Sequence, residues 1–113
     1  IRQYKILEAI EMLDYIRQEH PEALITPLST LRLALLLLES DQFEQALLTA
    51  LSIENSHLKD RGLALAGEIE ERLLGNQENA LKLYHRILSE CQNSLLVEPV
   101  RFHIRKLSKL QES

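Results

Sequence analysis

Asp41-Gln42-Phe43-Glu44-Gln45-Ala46-Leu47-Leu48-Thr49-Ala50 aligns without a gap on Gly75-Asn76-Gln77-Glu78-Asn79-Ala80-Leu81-Lys82-Leu83-Tyr84, placing Ala46 and Ala80 34 residues apart. A period in this range marks a helical repeat, whose units cannot bury their apolar faces alone and stack on their neighbours. Both copies open on turn residues. Asp41-Gln42 starts a turn, and Gly75-Asn76 stands where a left-handed residue closes a helix.

Working outward, the apolar spacing predicts about six helices. Tyr4, Ile6, Leu7, Ile10, Leu13 and Ile16 recur at helical intervals over 2–19, and His20-Pro21 ends that helix. Pro27 and Ser29 open a second helix reaching about Ser40, and a third covers about 43–54. Ser56 caps a fourth running to Leu74 with Gly62 and Gly67 inside it. A fifth spans about 78–91, and Asn93-Ser94 caps a sixth from Leu95 to about Leu110 with Pro99 in or near its first turn. The short turns between them imply three antiparallel pairs.

Composition agrees. The 113 residues carry many Leu and Ala, no Trp, and only three Gly and three Pro, a helix-forming mixture. The net charge of −4 comes from interspersed residues and calls for neither nucleic acid nor an anionic membrane. The longest apolar run, Leu33 to Leu38, is far short of the roughly 20 residues that span a bilayer, so no membrane insertion is expected and the chain reads as soluble. Cys91 is the sole cysteine and has no partner for an internal disulfide, which leaves the compartment open between cytoplasm and periplasm. Beginning at Ile1, the chain reads as a fragment of a longer protein.

Leu33-Ala34-x-x-Leu37, followed by Phe43, Ala46 and Ala50, then Leu65-Ala66-x-x-Ile69, followed by Gly75, Ala80, Tyr84 and Ile87, resemble the tetratricopeptide repeat family of helix-turn-helix hairpins. The resemblance implies a right-handed superhelix of antiparallel hairpins in one domain. Residues 1–21 are then the second helix of an incomplete repeat, 27–60 and 61–94 are repeats, and 95–112 is a capping helix. Small Ala34 and Ala46 let the helices approach while Leu33, Leu37 and Phe43 fill the space between. The first helix of the second unit is longer by two residues before its glycine turn. Thr30 stands where the family most often has an aromatic.

Chemistry-bearing constellations are sparse. Glu54-x-x-His57 has carboxylate-histidine spacing, but a di-iron site needs a second such pair and further glutamates. His85 and Cys91 are six apart on one helix, His20 and His103 are remote, and no zinc spacing exists, so neither metal nor cofactor is expected. Glu68, Glu70 and Glu71 read as a solvated acidic run beside Arg72. With no phosphate loop and no nucleophile motif, no enzyme is expected. Arg101, Arg105 and Lys109 form a basic stripe on the last helix, and Leu96, Val100, Ile104 and Leu107 an apolar one.

The resemblance implies a non-catalytic scaffold that binds a protein or peptide along a concave face. Leu28, Leu31, Arg32, Leu35 and Leu38 are the groove residues of one unit, with Gly67 making room in the next. The family's carboxylate clamp of Lys, Asn and Arg is missing apart from Arg32, which argues against a chaperone-tail partner. The alternative is a homo-oligomerisation module, because Tyr4, Ile6, Leu7 and Ile10 lack a hairpin partner that a second copy would supply in a homodimer.

Overall fold

A computed structural model describes residues 26–53 and 57–112 together with positions 11, 15, 18 and 19. The helix expected over 2–19 lies otherwise outside the described residues, and with it the proposed dimer contacts. The described residues form no strand. They fold into α1 (Thr26–Glu39), α2 (Phe43–Leu51), α3 (Lys59–Glu68) continued by a π-helical turn (Ile69–Leu73), α4 (Gln77–Glu90) and α5 (Val97–Glu112). Each helix packs on the next in chain order, and the π turn also touches α2 and α4.

The turns keep the 34-residue register. Asp41 and Gly75 both take left-handed backbone, with φ of 60° and 69°. Gln42 and Asn76, one residue on, are the N-caps of α2 and α4, with ψ of 68° and 81°. Asn76 also caps chemically, its side chain accepting a hydrogen bond from the Asn79 amide at 3.1 Å. Before the turns the register differs. Ala34 and Ala66, 32 apart, are both fully buried, and Leu37 and Ile69, also 32 apart, are buried.

Backbone hydrogen bonds show where the two additional residues go. The Leu74 amide bonds to Ile69 O at 2.9 Å, a π-type ring holding one residue more than an α turn. The closing bond is also wider: Asn76 N reaches back six residues to Glu70 O, whereas Gln42 N reaches back five to Leu37 O. One residue is absorbed in each.

Small residues bring the backbones together. Ala34, Ala50 and Ala66 form a contact joining α1, α2 and α3. A Cβ on Gly62 would stand 2.6 Å from the Ala50 carbonyl oxygen, so only glycine permits the α2–α3 approach there. Leu33, Leu37, Ala46 and Ile69 make one core cluster; Leu63, Ala80, Tyr84, Ile87, Val100, Ile104 and Leu107 make the other, which holds α5 against α4. Side chains of fixed shape interdigitating at close distance fix the helix order.

Candidate functional site

Three regions compete as sites: the outward face of α1, a polar cluster at the π turn and a polar hollow where α3 and α5 begin. On α1 the inward face is Thr26, Ser29, Thr30, Leu33, Ala34 and Leu37. Thr30 does not imitate an aromatic; its Oγ1 donates to Thr26 O at 2.8 Å and so satisfies itself within the helix. Turned away from that face, Leu28 is 51% and Leu35 47% exposed, with Leu31 partly buried and Arg32 exposed beside them. Exposure of two leucines at this spacing leaves an apolar stripe on one side of the helix.

The other two expected groove residues are occupied internally. Leu38 packs on the Leu33, Leu37, Ala46 and Ile69 cluster. Gly67 is buried, and the space a side chain would fill is taken by Tyr84: a Cβ there would lie 2.4 Å from Cε1 of that ring. The room made by Gly67 is therefore used by the chain itself.

The π turn organises the polar cluster. Glu71, inside the turn, accepts a hydrogen bond from Tyr84 Oη of α4 at 2.8 Å, and its Oε1 lies 2.7 Å from His103 Nε2 of α5. A carboxylate only accepts, so Nε2 carries the proton. The His103 and Tyr84 rings meet edge to face, with centroids 5.3 Å apart and planes at 83°. Burial alone raises the pKa of Glu71, but the bonds from His103 and Tyr84, with the charges of His103 and Arg72, hold it below the ordinary range. Burial first, then the bond to Glu71, pushes the Tyr84 phenol well above its ordinary range.

This corrects the reading of 68–71 as a solvated run. Glu68 is exposed, but Glu70 is buried and the Glu71 side chain is only 17% exposed. Sequence reasoning also set His103 aside as remote, although its place at the edge of the Val100, Ile104, Leu107 stripe marked it as a boundary residue. Nothing in one-dimensional spacing linked it to Glu71, 32 positions away.

A third, polar hollow of about 400 Å³ opens where α3 and α5 begin, lined by His57, Lys59, Asp60, Glu90, Cys91 and Ser94 among others. Ser94 Oγ donates to Asp60 Oδ2 at 2.5 Å and accepts from the Leu96 amide at 3.0 Å. Lys59 and Arg86 both reach Glu90 at 2.7 Å. Cys91 ends α4, its amide bonded to Ile87 O. Burial, then the charge of Asp60, raises its thiol pKa, which disfavours the nucleophilic thiolate. His57 is exposed, and Glu54 of the carboxylate-histidine pair lies outside the described residues.

Among the described residues no group of three or more His, Cys, Asp or Glu is arranged to hold a metal ion, and no helix is long and apolar enough to cross a membrane. No protein-family model, curated protein or solved structure matches the chain.

Proposed function

We propose that this chain is a non-catalytic protein-binding scaffold of tetratricopeptide-like hairpins, arranged as a right-handed superhelix. It takes a peptide or protein segment on the outward face of α1. The observation that carries the reading is the exposure of Leu28 and Leu35, on the side of α1 opposite Leu33, Ala34 and Leu37. Exposed leucines on one face of an otherwise packed helix fit apolar anchors from an amphipathic or extended segment. Leu31 continues the stripe and Arg32 supplies a charge beside it for an acidic residue of the partner.

The shared register of Asp41 and Gly75 supports the repeat reading, since left-handed backbone at both, 34 residues apart, follows from one hairpin plan used twice. The polar cluster supports the non-catalytic part: the Glu71 oxygen facing Tyr84 and His103 is engaged by both, and it ties three elements together.

Selection of a displayed random-peptide library on the purified chain tests the reading. The expected result is an enriched apolar peptide whose binding is lost in Leu28→Asp/Leu35→Asp, with unchanged helical circular dichroism and thermal unfolding. No enriched peptide, or peptides indifferent to the double substitution, would sink it. A mass in light scattering that rises with concentration and falls to monomer in the same variant would assign the face to a second copy, the assembly alternative.

A further inference from the structure

The outer face of α5 is a different surface, independent of α1. Helix α5 spends its apolar stripe on the core, with Val100, Ile104 and Leu107 buried against α4. Here Phe102 is 62% and Leu110 70% exposed. At about 100° per residue, Glu98, Phe102, Arg105, Lys106 and Lys109 share the side opposite the buried stripe, with Leu110 on its flank. Lys106 Nζ sits 5.7 Å from the centre of the Phe102 ring, so cation and aromatic form one unit at the surface. Arg101 borders the face and pairs with Glu98.

This helix is basic within an acidic chain. Four basic residues against two acidic ones give α5 a net charge of +2, so the chain total of −4 leaves −6 on all other residues. A basic ridge on an acidic protein orients the molecule toward an anionic surface, and it acts within the Debye length of about 8 Å while the remaining charge is screened.

We propose that α5 adsorbs the protein onto an anionic lipid bilayer. Phe102 and Leu110 enter the headgroup layer, and Arg105 and Lys106 neutralise lipid charge. Charge favours lipid over the apolar segment proposed for α1, because this face sets Arg105, Lys106 and Lys109 around Phe102, where α1 has Arg32 alone beside its leucines. The surface favours lipid over nucleic acid, because duplex base edges are read by polar side chains and single strands are held in basic grooves by successive stacking aromatics, whereas this ridge has one aromatic, Phe102. Long basic side chains lying over a membrane interface keep their charges at the headgroups while their stems cover apolar area. The helix lies on the bilayer and does not span it.

Sedimentation of the chain with phosphatidylcholine vesicles, with and without phosphatidylserine, tests this. The expected result is binding to the serine-containing vesicles alone, weakened by added salt and lowered about fivefold for each cation removed in Arg105→Gln and Lys106→Gln. Phe102→Ser should also weaken it, with helical circular dichroism unchanged. Equal binding to both vesicles, no binding at low salt, or binding indifferent to these substitutions would overturn the proposal. So would binding to polyglutamate or duplex DNA with the same variant sensitivity and none to vesicles, which would give the ridge to an acidic polypeptide or to nucleic acid.

Discussion

Gly67 and Tyr84 occupy one space: the aromatic ring lies where a side chain on residue 67 would be, with Cε1 2.4 Å and Cδ1 2.8 Å from the position of a Cβ. Two opposing effects meet at this contact. Alanine is better than glycine in a helix by about 1 kcal/mol. Overpacking a filled site costs about 1–3 kcal/mol, and the ring is held at its far end by Glu71. The clash therefore wins.

Gly67→Ala is expected to destabilise the chain by up to about 2 kcal/mol, read from the urea midpoint. In a double-mutant cycle with Tyr84→Ala the penalty should largely disappear, because the ring that causes it is gone. A Gly67→Ala variant as stable as the parent would show that the ring moves freely.

The Glu71 cluster predicts a pH dependence of stability. The carboxyl is held below its ordinary value of 4.5, so its contribution is complete above that value and is lost as pH falls through the folded value. Glu71→Gln should cost about 1 kcal/mol at neutral pH, and the gap to the parent should narrow in acid. Tyr84, raised above its ordinary 10.0, contributes fully below pH 10 and loses that contribution as pH rises through the folded value. Tyr84→Phe should flatten the alkaline limb of the urea-midpoint profile.

The two turn positions predict effects of opposite sign. Gly75 has φ of +69° and nothing within 4 Å of an added Cβ, so Gly75→Ala meets backbone strain without a clash and should cost about 1–2 kcal/mol. Asp41 carries the same strain already at φ of 60°. Asp41→Gly should stabilise by up to about 1 kcal/mol, measured by thermal unfolding.

Glu90 sits at the surface between Arg86 and Lys59, and the hydrogen bonds from these two, the first larger, hold its carboxyl at about 2. Carboxyl NMR titration at low salt should find that value, and it should climb toward the ordinary glutamate range as salt screens the pair. Arg86→Gln should raise it more than Lys59→Gln does.

Much of the fold was legible in the chain. The alternation of apolar positions placed the helices of the described part within a few residues, and the turn chemistry of Asp41 and Gly75 fell where it was read. Local signals of this kind depend on residues within one or two turns of each other, which one sequence contains in full. The two additional residues before Gly75 were legible as a length difference, but the π turn that absorbs one of them was not. It depends on which carbonyl the Leu74 amide finds once Ile69 is fixed in the core.

The candidate sites divide in the same way. Leu28 and Leu35 were named as groove positions from the repeat resemblance and lie exposed, because their side of α1 follows from the position of Leu33, Ala34 and Leu37. Leu38 and Gly67 were named on the same grounds, but their occupancy depends on side chains from other helices, Ala46 and Ile69 for one and Tyr84 for the other.

The sequence by itself determined the helices of the described residues, the register of its two similar stretches and the acidic balance with a basic last helix, since periodicity, turn chemistry and charge are properties of neighbouring residues. Only the tertiary structure decided that Glu71, Tyr84 and His103 meet, 13 and 32 positions apart, and that a glycine in α3 accommodates a ring from α4. Such contacts are selected by close packing of three elements at once, and that information is carried by no single segment.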